Sequence, residues 1–239
     1  HYISQTAISI VSATEWQYRL GLTSLLFKEK AMDKILLSVD PAVFNFVPKD
    51  AAKKKYGIPE HKKVIFFGSA FLNERRKGMK YLIDALKKMR QQNEVNNENI
   101  LLLIAGNDFE LIKSEIPFEY RYLGLLANNE ELAEAFQASD IYVCPSIEDS
   151  GPMMINQAIM CGIPSVTYNM GVAMDLVING STGYRAKLMD TDDLALGITT
   201  LLKLDKPTYE LYSKNCRQLA LNSFTPEVQI EKFEKLFMQ

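Results

Sequence analysis

Short, uninterrupted apolar runs recur along the middle of the chain: VIFFG (Val64 to Gly68), ILLLIAG (Ile100 to Gly106), RYLG (Arg121 to Gly124), DIYVCPS (Asp140 to Ser146), IPSVTY (Ile163 to Tyr168) and GYRA (Gly183 to Ala186). Helical patterns separate most of them. Lys77 to Gln92 carries Met79, Leu82, Ile83, Leu86 and Met89 on one face, and Glu130 to Ser139 carries Leu132, Ala133, Ala135 and Phe136. A strand that is apolar without alternation has no face for water, and a strand followed by a helix returns to its starting end before the next strand begins. Together these features specify an α/β fold, a doubly wound parallel sheet covered by helices on both faces, over roughly residues 35–225.

The two ends stand outside this alternation. Residues 4–27 read as one strand (Ala7 to Val11) and one helix (Glu15 to Phe27), the closing unit of a preceding domain whose remainder is missing. His1 falls inside what reads as a strand, which makes the chain a fragment or a processed form on this reading. A linker passes through Pro41 and Pro48. Helices from Pro207 to Leu221 and from Pro226 to Phe237 begin with proline, whose missing N–H costs nothing in a first turn.

Composition removes several classes of function. Of 239 residues 47% are hydrophobic and 23% charged, the balance of a folded globular chain. Lys and Arg number 27 against 29 Asp and Glu, so no global basic field points to nucleic acid, and any anion site is local. Three cysteines without paired spacing fit a reducing, cytoplasmic compartment, and no apolar run approaches the roughly 18 residues of a membrane span. His1 and His61 are the only histidines, which argues against a histidine triad or a His-rich metal site within these residues. Neither a nucleophile elbow nor a P-loop nor a G-x-G-x-x-G turn follows any strand.

In an open parallel sheet ligands bind beyond the carboxyl ends of the strands. The loop Cys144-Pro-Ser-Ile-Glu-Asp-Ser-Gly-Pro152 leads there into a helix from Met153 to Cys161. Ser150 or Asp149 suits the N-cap and Pro152 the first turn, which would leave the N–H groups of Gly151, Met153 and Met154 free for an anion, above all phosphate. Asp149 and Gln157 are placed to flank one ligand; the plainer alternative is that Asp149 only caps the helix and Gln157 is solvated. Met153, Met154, Ile155, Ile159 and Met160 surround the helix as core packing, so the amides of Asn156 and Gln157 need partners. Cys161, ahead of Gly162, reads as structural. After the first strand, Gly68 is followed by Arg75, Arg76 and Lys77, an arrangement able to clamp a diphosphate or, more plainly, a solvated run of charge.

The ordered set FFGS, RRKG, LLLIAG, YLG, ELAEAFQASDIYVCPS, EDSGPMMINQAIMCGIPSV and NGSTGY resembles the C-terminal, donor-binding half of GT-B retaining glycosyltransferases, specifically the large family 4, over roughly residues 35–225. IVSATEW resembles the end of that family's first domain, and ILLSVDPAVF resembles its interdomain linker at Asp40 and Phe44. The resemblance implies three parts: 1–34 as the end of the N-terminal acceptor domain, 35–225 as a Rossmann-like nucleotide-sugar domain and 226–239 as a C-terminal crossover helix. In that family two acidic residues meet the donor, the first at the sugar and the second at the ribose. Here Asp149 stands at the first position on a shorter arm, and Gln157 stands at the second without charge.

The same resemblance makes Lys77 a diphosphate ligand and a catalytic group beside Asp149. Ser69 replaces the family's Arg after Gly68, with Arg75 or Arg76 as substitutes. It places the nucleobase near the backbone of Gly106 and of Gly124 and Leu125, and the phosphates at Gly151, Pro152, Met153 and Met154. The activity it implies is transfer of a sugar from a nucleotide diphosphate sugar with retention, no cofactor and no metal, to a carbohydrate or lipid-linked acceptor in bacterial polysaccharide or glycolipid biosynthesis. The partners expected are the nucleotide sugar, that acceptor and the missing N-terminal domain, at the inner face of the membrane if peripheral. The isolated chain is expected to be inactive. A nucleotide-sugar-binding module without catalysis and a GT-B nucleotide-sugar epimerase are the alternatives.

Overall fold

The computed structural model describes residues 2–238. The chain runs α1 (Tyr2–Gln5), β1 (Ser9–Ser12), α2 (Glu15–Thr23), β2 (Ala31–Lys34), α3 (Lys49–Lys55), β3 (Lys63–Phe71), α4 (Met79–Gln92), β4 (Ile100–Asn107), β5 (Glu119–Tyr122), α5 (Asn129–Gln137), β6 (Ile141–Cys144), α6 (Met153–Met160), β7 (Ser165–Tyr168), α7 (Ala173–Leu176), β8 (Gly183–Ala186), α8 (Thr191–Leu202), α9 (Lys206–Ser223) and α10 (Pro226–Phe237). His1 lies outside the described residues. The adjoining Tyr2–Gln5 segment is a helical turn and not strand, since its residues lack a pairing partner in the small sheet that comes after it.

Strands β3 to β8 form one parallel sheet of six in the order β5-β4-β3-β6-β7-β8, the doubly wound architecture. Both faces are covered, as continuous apolar strands require. Within β3, Val64 and Phe66 enter one core, with Phe44, Phe136 and Tyr142, while Ile65 and Phe67 enter the other, with Leu82, Leu86 and Met89. Each such side chain contributes about 1.5–3 kcal/mol on full burial. Strand order reverses between β3 and β6, so the loops leaving their carboxyl ends diverge and open a crevice.

The first two strands pair only with each other, Ser9 to Ser12 against Ala31 to Lys34, in a separate parallel ribbon. The helix expected to reach Phe27 ends at Thr23, where the Ser24 N–H bonds to the Gly21 carbonyl and the chain turns into β2. The linker behind β2 is held from two directions. Asn156 of α6 donates to the Leu37 carbonyl at 3.1 Å, and Gln229 of α10 donates to Leu36 at 2.9 Å and accepts from Ser38 at 2.8 Å.

At the amino-terminal rim of the sheet Asp140 ties the domain together. Its carboxylate accepts from the Val64 N–H at 2.7 Å and pairs with Lys53 at 2.9 Å and Lys49 at 3.3 Å, while Lys49 also donates to Tyr209 of α9. Burial by itself raises the Asp140 pKa, but Lys49, Lys53 and the Val64 N–H outweigh it and hold the carboxyl below its ordinary value. A carboxyl depressed in the folded state stabilises above its unfolded pKa of about 4 and loses that contribution as pH falls through the folded value. Asp140→Asn is therefore expected to lower the unfolding free energy by about 3 kcal/mol at pH 7, because two cations stay buried without their partner. Urea titrations at stepped pH check this: the gap between variant and parent should narrow below pH of about 4, and a gap independent of pH would contradict it.

Candidate functional site

Two loops meet at the crevice between β3 and β6. The first carries Arg75, Arg76 and Lys77 in a single 3-10 turn, and Gly78 in the left-handed region (φ +77) divides that turn from α4. The helix expected from Lys77 thus begins at Met79, and the three cations stand on a turn of their own. The second loop leaves β6 at Pro145. Its Ile147 N–H donates to the Arg76 carbonyl at 2.9 Å, and a Cβ at Gly78 would come within 1.8 Å of the Pro145 carbonyl oxygen. Only glycine permits that approach, both by its backbone angle and by its missing side chain.

The approach brings Lys77 Nζ to 2.6 Å from Asp149 Oδ2, with Arg76 at 3.7 Å from the same oxygen and also paired with Glu74. The Lys77 and Asp149 side chains are mostly shielded from water, which strengthens the pair. Asp149 Oδ1 accepts from the Gly151 N–H at 3.1 Å. That corrects the expectation of a free Gly151 amide: the acid two residues earlier has taken it. It also corrects the cap, since α6 starts at Met153 behind Pro152 and no side chain caps it. A carboxylate therefore sits where an anion was expected, against both the lysine and a backbone N–H.

An open cavity of about 640 Å³ lies alongside. Gly68, Ser69, Arg76, Lys77, Pro152 and the Met153–Met154 pair line it. Gly106, Gly124, Leu125 and Gln157 stand off that cavity. Gly106 is nonetheless fixed to it from behind, for its N–H donates to the Gly124 carbonyl at 2.8 Å and a Cβ there would reach 1.9 Å from the Ser69 carbonyl oxygen. Leu125 is exposed. Gln157 is half-buried and its amide makes no hydrogen bond to the described residues, whereas Asn156 found one in the linker. Ser69 turns its hydroxyl to the Phe71 carbonyl at 3.1 Å.

Two thiols nearby are inert. Burial raises the Cys144 pKa, and burial pushes Cys161 up to about 12, so both remain protonated. Among the described residues no group of three or more His, Cys, Asp or Glu side chains is arranged to hold a metal ion, and no helix is long and apolar enough to cross a membrane.

One residue at the site escapes a reading of the sequence. Thr14 caps α2, accepting from the Gln17 N–H at 3.1 Å, and donates its hydroxyl to the Ser150 carbonyl at 3.1 Å. The spacing Thr14-x-x-Gln17 ahead of a helix is a readable capping signal, but nothing in it names Ser150 as the second partner.

Known proteins resemble the chain in sequence and in fold. The family model described as Glycosyl transferases group 1 matches residues 48–219. The chain is 24% identical over 217 residues to N-acetyl-alpha-D-glucosaminyl L-malate synthase of Bacillus anthracis, an alignment covering 89% of this chain and 55% of that enzyme. Among solved structures, sucrose-phosphate synthase from Thermosynechococcus elongatus superposes with a TM-score of 0.82 at 20% identity, covering 98% of this chain and 59% of the other. Anabaena HepE in complex with UDP-glucose superposes at 0.78 and 18% identity, covering 98% and 65% respectively. The chain thus spans a little over half the length of the first of these relatives.

The glycines of the site separate steric need from angular need. Gly124 also has a positive φ (+72), but a Cβ there would meet nothing within 4 Å. Asparagine tolerates the left-handed region. Gly124→Asn should therefore change the unfolding free energy by less than about 1 kcal/mol, while Gly78→Asn should cost about 2 kcal/mol or more by driving Pro145 away. Equal denaturation midpoints for the two variants would show that the loops are not in contact at Gly78.

Proposed function

The chain belongs to the group 1 glycosyl transferases, and from that membership we propose that it is the donor-binding half of a retaining glycosyltransferase that uses a nucleotide diphosphate sugar. The observation that carries the reading is the Lys77–Asp149 pair, set at the topological switch point beside the mouth of α6. Lys77 and Arg76 are the cations for the twin phosphates, helped by the first amides of α6. Asp149 meets hydroxyls of the transferred sugar, and Gln157 meets the ribose. Relatives act on sugars, and HepE is known bound to UDP-glucose, which supports a nucleotide sugar as ligand.

Chemistry follows from where charge develops. As the bond from the anomeric carbon to the diphosphate lengthens, negative charge builds on the diphosphate and positive charge on the sugar. Lys77, Arg76 and the helix mouth stabilise the first. Asp149 lies on the sugar side and stabilises the second. Because the chain's own cations do this work, we assign no cofactor and no divalent metal to the reaction. The acceptor, a carbohydrate or a lipid-linked carbohydrate of polysaccharide or glycolipid synthesis, would be held by a further domain at the cytoplasmic face of the membrane. Residues 1–34 would belong to that domain, and 226–239 would cross back to it.

A panel of UDP, GDP, ADP and their sugars tests binding in this chain directly. One nucleotide should raise its Tm, since a ligand of the folded state alone stabilises it. Lys77→Met should remove the shift. Gln157→Glu should tighten binding about fivefold by adding a charge-assisted acceptor for the ribose. A panel that moves Tm nowhere would end the reading. In the protein carrying its acceptor domain, transfer should survive EDTA and give a product of unchanged anomeric configuration, whereas this chain alone should turn over nothing. Inversion in the product, or turnover by the chain alone, would count against those assignments.

A further inference from the structure

Thr14 and Ser150 are 136 positions apart in sequence and share one hydrogen bond. The Thr14 oxygen already accepts from Gln17, so the one proton it owns is committed to the Ser150 carbonyl. That carbonyl and the Gly151 N–H are the two ends of a single planar peptide unit. The N–H end donates to Asp149 Oδ1 at 3.1 Å, and the other carboxylate oxygen accepts from Lys77 at 2.6 Å. One rigid plane thus joins a threonine of the N-terminal segment to the acid and the cation of the site. Glycine at 151 leaves this plane free to rotate. A donor at its carbonyl end holds the orientation in which the N–H faces Asp149. Thr14 is 1% exposed, which shields its hydroxyl from bulk water, and its methyl group closes against Gly151, where a Cβ would lie 3.2 Å from Thr14 Cγ2.

We infer that Thr14 is a positioning residue for the sugar end of the donor site: its hydroxyl fixes the Ser150–Gly151 peptide, and that peptide fixes the Asp149 carboxylate. Thr14 itself touches no donor atom. The inference deepens the proposed function and rests on its assignment of Asp149 to the transferred sugar. It is separable from mere fastening of the N-terminal segment. That task is shared by Lys34, which pairs with Asp175 and with Glu15 at 2.8 Å each, and by the Glu15 N–H, which donates to Asp175 at 2.8 Å; none of these groups reaches the Asp149–Gly151 loop.

The test is a ratio measured by calorimetry on this chain: the affinity for the glucose or N-acetylglucosamine conjugate of UDP, GDP or ADP, divided by the affinity for the bare diphosphate. Thr14→Val should lower the ratio about fivefold, the effect of one hydrogen bond, and leave the bare diphosphate within about twofold. Thr14→Ser, which keeps the hydroxyl, should restore it. Lys34→Met should lower Tm yet keep the wild-type ratio. In an Asp149→Asn background Thr14→Val should take nothing further from the ratio. An unchanged ratio in Thr14→Val, an equal loss for both ligands, or the same loss in Lys34→Met would overturn the inference. If Thr14→Val does not fold, Thr14→Cys, with a weaker donor of similar size, takes its place, and a wild-type ratio there overturns it too. Wild-type chain that binds a diphosphate but gains nothing from the sugar would sink the role of Thr14 and leave the phosphate site standing. Chain that binds no nucleotide would sink both.

Discussion

The site depends on how closely one backbone can approach another. Gly78 lies directly against the Pro145 carbonyl, and the Arg76 carbonyl accepts from Ile147, so the loops after β3 and β6 are zipped together at the point where strand order reverses. With a side chain at 78 the loops would part, and Lys77 and Asp149 would each face water. Zipped, they form an ion pair shielded from solvent beside the start of a helix, where partial positive charge is already concentrated. The sheet supplies the crevice; this contact supplies its contents.

The contacts of Asp149 have a chemical meaning. Asp149 occupies both kinds of group that a phosphate would seek, an ammonium and a backbone N–H. On the proposed function, a dianionic diphosphate would compete for Lys77 with more charge than one carboxylate carries, and Arg76, which also pairs with Glu74, lies beside the same oxygen at 3.7 Å. On that reading, the acid displaced from Lys77 would keep its tie to Gly151 and stay near the anomeric end of the ligand. A short arm suits this double task, because Asp149 reaches its own loop amide, which a longer side chain would overshoot.

The strands of the sheet are readable because burial on both faces leaves an unbroken apolar signature, as in β3, β4 and β6. β2 is not readable: AMDK pairs only with β1 and stays partly exposed, so its sequence carries no burial pattern. The α3 segment KDAAKKK is lost for the opposite reason, since charge hides its helix although Lys53 ends up buried against Asp140. In the site, residue types are legible and contacts are not. Glycine, the cations and Asp149 advertise phosphate chemistry, but no local pattern states that Asp149 accepts from Gly151, or that Thr14 reaches Ser150 across the fold.

The two rims of the sheet show how structural and functional charges differ. At the amino rim Asp140, Lys49 and Lys53 satisfy one another, a backbone N–H, backbone carbonyls and the Tyr209 hydroxyl, all in a buried network. Each of these charges has its partner within the network. At the carboxyl rim the accounts do not close: Gln157 makes no hydrogen bond within the described residues, α6 has no side-chain cap, and Arg75 stands exposed with no ionic partner among those residues. Water reaches the half-buried Gln157 amide and the exposed Arg75, so folding does not itself demand protein partners for them. On the proposed function, a phosphorylated nucleoside across the crevice would supply partners for them. The amino-rim charges are matched by groups of the fold itself, whereas the carboxyl rim keeps groups available for the proposed ligand.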